Sequence, residues 1–378
     1  MLFRSQSRMS GRNGHPAGAW RRAASWPAAA QWGALVALSA LISAIWGAAG
    51  LPAALLLGPM IGGIVLGVNG VRLAVPRVSY LGAQVVVGAM VSAAITPDIV
   101  SIFLHDAFWF SVVLGVTLLG AAALGWSISR SGVIPGATAV YGITPGAAGP
   151  MMLLGEAEGA DVQVVAIMQY SRVMLVVLAV AFVARLWADA GDPHPHGALW
   201  LAPVHWGNLV AVLLLAALAQ QAARLVRLPA WAVLGPMLVL SALHAAGWVT
   251  IELPRWLLAA AYAAIGWHIG LGFRRDALFQ IGRALPVVMA ATLVLMALCA
   301  LLAWCLTHFA HVDSLTAYLA TSPGGLDSVA IIAASTPRVD LSFVLALQSV
   351  RLLFVIGLAP LITRLVVRHS PHLQELRH

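Results

Sequence analysis

The chain has almost none of what a soluble protein uses to stay in water. It contains no lysine, and its 21 arginines face only 13 acidic residues, so charged side chains make up 9% of 378 positions. An ordinary soluble domain carries about 25% charged residues and roughly 45–50% apolar ones. Here the apolar share is 61%, which excludes a soluble core as the explanation. Cysteine is scarce as well. Cys299 and Cys305 lie in one apolar stretch without a neighbouring thiol, which excludes a disulfide framework. Walker-type phosphate loops, H-E-x-x-H and Cys-x-x-Cys patterns are absent, so ATP hydrolysis and a framework metal centre are not expected.

What is present is a series of long apolar runs. Gln31 to Gly50, Phe103 to Trp126 and Val287 to Thr307 each match the ~20 residues that cross a ~30 Å hydrocarbon layer. The net charge of +8 would suggest nucleic acid if it lay on one soluble face. Most arginines instead fall in short loops between apolar runs, as the positive-inside rule produces, so direct nucleic-acid binding is not expected. Arg4, Arg8, Arg12, Arg21 and Arg22 precede an apolar stretch too long for a signal-peptide core. A retained basic tail at 1–30 and a first membrane helix follow from that.

The chain repeats itself. LPAALLLGPM at 51–60 matches LPAWAVLGPM at 228–237 in seven of ten positions. In a register that differs by a single position, Pro76-Arg77, Gly88 and Asp98 recur as Pro254-Arg255, Gly266 and Asp276. Thr144-Pro145-Gly146 corresponds to Ser322-Pro323-Gly324, and Asp161, Gln169 and Arg172 correspond to Asp340, Gln348 and Arg351. Shared hydrophobicity cannot place Pro, Gly, Gln and Arg in register, so the sequence reads as a duplication. The expected layout is a tail at 1–30, a first repeat at 31–186, a linker at 187–206, a second repeat at 207–366 and a tail at 367–378.

Hydropathy predicts an all-α polytopic membrane protein with five spans in each repeat: 31–50, 51–68, 80–95, 103–126 and 162–185, then 207–222, 228–246, 256–272, 284–307 and 341–363. Between the fourth and fifth spans lies a Pro-Gly-interrupted stretch, 130–160 and 312–339. If it is a re-entrant hairpin of two half-helices, each repeat crosses an odd number of times and the repeats are inverted. If it crosses, they are parallel. With the N-terminus inside, the hairpin topology puts 16 loop or tail arginines in the cytoplasm and three outside, against 13 and six for the crossing topology. The hairpin topology is favoured, with both termini cytoplasmic.

Non-helical backbone at membrane depth survives only where it lines a cavity or is buried in protein. Thr144, Pro145 and Gly146, with Ser322, Pro323, Gly324 and Gly325, therefore mark a candidate solute site. The half-helix starting after each break would aim its N-terminal amides at negative charge. Arg172 and Arg351 stand near mid-span, where an arginine costs at least ~2.5–3.5 kcal/mol. Gln169 and Gln348, three residues earlier, share their helix faces. Either these four side chains contact a solute, or the arginines are internal ties, with Asp327 as a candidate partner. Asp327 could equally carry a coupling proton or sodium, or simply stabilise a helix start. Asp161 and Asp340 read as N-caps. His194, His196, His205, His308, His311 and Asp313 gather on the outside in this topology, and their spacing argues little for a metal.

The blocks LGPMIGGIVLG, YGITPGAAGPMMLL followed by MQYSRV, and ATSPGGLDSVAIIA followed by LQSVRL resemble the membrane AbrB duplication family over about 30–370. They do not resemble the small DNA-binding regulator of the same name. The resemblance implies a membrane protein linked to the regulation of gene expression; many members also carry an ammonia monooxygenase label, which this sequence does not support with any intramembrane metal cluster. The inverted-repeat character is similar to the cation/anion antiporter and symporter class. The expectation is a non-enzymatic inner-membrane secondary transporter, or a sensor derived from one, for a small organic anion. A regulatory membrane protein without transport, and a membrane oxidase, stand as alternatives; a homo-oligomer stays open.

Overall fold

The computed structural model describes residues 26–49, 53–94, 107–134, 136–146, 148–187, 204–228, 231–274, 282, 284–334, 336 and 339–368. Among these residues there is no strand, and the helices fall into two sets of seven. The first set is α1 (Ala28–Ala48), α2 (Ala54–Val68), α3 (Arg77–Ala94), α4 (Ala107–Arg130), α5 (Gly136–Ile143), α6 (Ala148–Ala157) and α7 (Val162–Trp187). The second is α8 (Trp206–Leu225), α9 (Trp231–Ala245), α10 (Arg255–Gly270), α11 (Leu285–Phe309), α12 (Ser314–Thr321), α13 (Leu326–Ala334) and α14 (Leu341–Arg368). The pattern long, short, short, long at the end of each set reproduces the interrupted stretch read from the Pro-Gly pairs.

Six helices, α1, α4, α7, α8, α11 and α14, are long and apolar enough to cross a membrane. The sequence predicts ten spans, and the other four are shorter: α2 and α9 have 15 residues, α10 has 16 and α3 has 18. At 1.5 Å per residue, 15 residues rise only about 22 Å. Hydropathy overran α2 because the apolar stretch begins before the helix does: Ala53, at φ 55°, is left-handed, and α2 starts after it.

Both α2 and α9 also carry an internal proline, Pro59 and Pro236. A proline cannot donate to the carbonyl one turn back, which must find another partner in a dry interior. The carbonyl freed by Pro236 is that of Ala232, and the Gln220 amide of α8 donates to it at 3.0 Å. Near Pro59 the Ser43 hydroxyl of α1 donates to Ala54 O at 3.0 Å. Ser43 and Gln220 are equivalents in the register that pairs Leu51 with Leu228, so both repeats tie the first helix to the start of the proline-containing one, through carbonyls one residue apart.

The helices group by their place within the repeat. The first three of each set pack together, with α1 on α2, α2 on α10, α8 on α9, and both α9 and α10 on α3. The last four of each set form a second group, in which α4 meets α11 and α5 meets α14. One continuous apolar core, from Leu56 and Ile265 in the first group to Val329 and Leu345 in the second, joins them.

Contacts inside the groups are reciprocal. A side-chain carbon at Gly88 would lie 2.9 Å from Pro236 Cβ and 3.0 Å from Val233 O; at Gly266, its equivalent, it would lie 3.1 Å from Pro59 Cβ and 2.6 Å from Leu56 O. Gly120 faces Leu298, its own equivalent in the register that pairs Gly88 with Gly266. A residue touching its own copy sits where a two-fold relation between units places it.

Candidate functional site

Each Pro-Gly break ends one half-helix and precedes another, leaving carbonyls of the first without intrahelical donors. In the first repeat α5 stops at Ile143, and the Gln169 amide of α7 donates to Tyr141 O at 2.7 Å and Thr144 O at 3.1 Å. Arg172 donates to Thr144 O at 2.7 Å, to Gly146 O at 3.1 Å and to the Gln169 amide oxygen at 2.6 Å. In the second repeat Gln348 donates to Leu319 O at 3.0 Å and Ser322 O at 3.1 Å. Arg351 donates to Thr321 O at 3.1 Å, Ser322 O at 2.8 Å and Gly324 O at 3.2 Å, and to the Gln348 amide oxygen. The two clamps coincide nearly atom for atom.

These bonds explain how an arginine tolerates mid-span depth. Arg172 is wholly buried and Arg351 is 3% exposed. A cation at a helix C-terminus meets the negative end of the helix dipole, and its donors fill the orphan carbonyls. Among the described side chains no carboxylate meets either guanidinium; the tie is to backbone. The expected tie to Asp327 involves a residue in the first turn of α13 whose side chain lies outside the described ones.

The level of the breaks is fixed by their neighbours. The Thr321 hydroxyl, at the end of α12, lies within hydrogen-bond reach of Ala317 O of its own helix at 2.9 Å and of Cys299 O, close to the middle of α11, at 3.0 Å. At the other end of the same half-helix, Asp340 N donates to the Thr316 hydroxyl at 3.1 Å. The first repeat makes the matching bond, Asp161 N to the Thr138 hydroxyl at 3.0 Å. Asp161 and Asp340 are N-caps as expected: the Asp161 carboxylate accepts from Gln163 N and Val164 N, and Asp340 accepts from Phe343 N. The start of each final helix thus lies beside the first half-helix of its own break.

The two breaks also share walls. A side-chain carbon at Gly146 would meet Val355 of α14 and Met151 at 3.3 Å; at Gly324 it would meet Val176 of α7 at 3.2 Å and Val329 at 2.6 Å. Val176 and Val355 are equivalents, so each break is covered by the last helix of the other repeat. Between them is a cavity of about 10 Å³, room for about one water. Its walls are Pro145 and Gly146 from the first break, Gly324 and Leu326 from the second, and Gln348, Arg351 and Leu352 from α14.

Of the residues singled out in the sequence, Pro145, Gly146, Gly324, Gln348 and Arg351 line this space. Thr144 and Ser322 stand at the breaks, but their hydroxyls donate back to Val140 O and Leu319 O of their own half-helices. Gln169 and Arg172 are buried within the first clamp, and Arg172 Nε has no partner among the described residues. Pro323 and Gly325 are not on the cavity wall; the Gly325 carbonyl accepts from Val329 N at the start of α13. Leu326 and Leu352 were missed because an apolar residue beside a break has no signal that separates it from ordinary core.

Among the described residues, the histidines expected outside do not form a metal-binding cluster. His308 stacks on Trp304, His205 faces Glu252 at 3.5 Å, and the Asp313 carboxylate caps Leu315 N and Thr316 N of α12. His194 and His196 lie outside the described residues.

Comparison with known proteins agrees over most of the chain. Residues 55–367 match the family described as "Transition state regulatory protein AbrB". The chain is 42% identical over 338 residues to the protein named "Putative regulator AbrB" of Escherichia coli (strain K12), covering 88% of this chain and 96% of that one. It is 27% identical over 300 residues to the Bacillus subtilis (strain 168) protein YhjN, covering 75% of this chain and 77% of the relative. With its six long apolar helices and its paired, clamped breaks, the chain is a helical membrane protein of the AbrB family.

Proposed function

We propose that the protein is a bacterial inner-membrane secondary transporter, or a sensor derived from one, that binds a small organic anion where its two helix breaks meet. The observation that carries the reading is the convergence of both breaks on Arg351; the space between them takes about one water, so a solute enters only when the helix groups move apart. Interrupted helices at matching positions of two repeats are the usual place for a transporter site.

The re-entrant topology is part of this proposal, and two hydrogen bonds support it. α12 runs from Ser314 to a break level with the middle of α11, yet Asp340, at the start of α14, bonds to Thr316 near the outset of α12. The chain between the break and Asp340 must then come back to the side it left, which is a hairpin. The Asp161 to Thr138 bond argues the same for the first repeat. With an odd number of crossings per repeat the units are inverted, both termini are cytoplasmic, and the first hairpin opens from the cytoplasm and the second from outside. Alternating access then comes from movement of the α1–α3 and α8–α10 group against the broken-helix group. Asp327, one residue from the cavity wall, is the proposed carrier of a coupling proton or sodium.

Uptake of labelled short organic acids into proteoliposomes tests the reading. Uptake that Leu326→Trp abolishes, in protein that keeps its melting temperature, is the expected result. Absence of both uptake and ligand stabilisation for every acid would overturn it. A second reading, membrane regulation without transport, is favoured by the printed name of the Escherichia coli relative. It predicts that deleting residues 1–25 abolishes a regulatory effect while cavity variants leave it intact.

A further inference from the structure

We propose that the structure is the state shut to the outside: α13 is the seal, α6 is the matching gate on the cytoplasmic side, and in the opposite state α6 docks on α10 as α13 now docks on α3. The proposal rests on the re-entrant, inverted topology given above and adds which end is closed.

Two equivalent half-helices are packed differently. α13 lies against α14 of its own repeat, against α7, and against α3 of the first helix group. α6 lies against α5 and α7 of its own repeat and touches α14, but among the described residues it makes no comparable contact with α10, the equivalent of α3. Burial follows the packing. From Ser328 to Ala333 in α13 no residue is more than 2% exposed, whereas in α6 Met152 and Leu154 are half-buried and Glu156 and Ala157 are exposed. One fold held in two packings is what alternating access between inverted repeats requires, because exchanging the packings turns one state into the other.

The helix that α6 leaves free also carries a residue suited to water. His268 of α10 is half-buried, stacks on Tyr80 of α3 at 3.9 Å and meets the Tyr170 ring of α7 edge-on at 6.3 Å. α7 is the helix on which α6 rests. A histidine in a membrane-spanning protein faces the bundle interior or a water-filled space rather than lipid. Its equivalent, in the register that pairs Gly88 with Gly266, is Met90. The helix under the seal thus carries a thioether, and the helix facing the open gate an imidazole.

Thiol labelling of the full-length chain in membrane vesicles, with Cys299→Ala and Cys305→Ala, tests the proposal. A residue reached only through a minor state is labelled in proportion to the population of that state, so Leu154→Cys should react with a membrane-impermeant thiol reagent from the cytoplasmic face at least about tenfold faster than Ile332→Cys reacts from the outer face. Ala330→Trp overfills the packed face of α13 and should unseat it, raising the rate at Ile332→Cys and lowering it at Leu154→Cys. Ala330→Leu serves if the larger side chain prevents folding, and should give the same pair of changes at smaller size. Equal rates at the two positions would overturn the proposal and leave the topology standing. So would an Ala330 variant that moves both rates in one direction or neither, or a Leu154→Cys that stays unreactive while Ser131→Cys reacts from the cytoplasm. Reaction of Leu154→Cys from the outer face alone would remove the topology and the proposal together.

Discussion

The two helix groups solve one problem, backbone polarity inside an apolar medium, by different means. In the α1–α3 and α8–α10 group the helices are continuous apart from Pro59 and Pro236, and glycines let backbones approach closely: Gly63 stands against Gly270, and Gly88 and Gly266 against the two proline turns. In the second group α5 and α12 stop at the Pro-Gly breaks, and buried Gln-Arg pairs hold the carbonyls left there. Small-residue packing brings those helix backbones into close contact. Broken helices cost several hydrogen bonds and two buried cations to maintain, and in return they leave polar groups and space in the interior. The same duplication contains both.

The contrast can be broken most sharply at the clamps. Arg172→Leu or Arg351→Leu strips donors from several buried carbonyls together, and we expect about 3–5 kcal/mol of destabilisation, seen as a large fall in melting temperature in detergent. Gly88→Val and Gly266→Val should each cost about 1–3 kcal/mol by forcing apart the helix pairs they join, and they should do so alike in both repeats. Asp161→Ala and Asp340→Ala, which remove matching N-caps, should each cost about 1 kcal/mol; a large inequality between them would mean the repeats are less alike than their hydrogen bonds indicate. At the small end, Gly33→Ala in α1 meets nothing within 4 Å and should stabilise by roughly 0.5–1 kcal/mol.

Much of this organisation was legible in the sequence because the duplication repeats residues that hydrophobicity alone would not. Pro145-Gly146 and Pro323-Gly324 located the breaks, and Gln169-Arg172 and Gln348-Arg351 were placed on shared faces. Their partners were not legible. A carbonyl carries no residue identity, so the tie to Tyr141, Thr144, Leu319 and Ser322 is invisible in the sequence, where Asp327 is the visible candidate partner. The preference of helix C-termini for cations was the signal that could have found it. The short α2 and α9 escaped for a related reason: hydropathy registers apolar residues, whereas the left-handed turn at Ala53 that delays α2 is a backbone event. The cavity wall at Leu326 and Leu352 depends on the meeting of two distant repeats, which no local pattern encodes.

The most direct test of the account is the sidedness of the broken helices. In a background with Cys299→Ala and Cys305→Ala, the single substitutions Ser131→Cys and Glu156→Cys flank the first break, and His308→Cys and Ala334→Cys flank the second. Labelling with a membrane-impermeant thiol reagent should modify the first pair only from the cytoplasmic side and the second pair only from the opposite side. Modification of positions 131 and 156 from opposite sides would mean that the interrupted stretch crosses the membrane, and the inverted, re-entrant site would have to be abandoned.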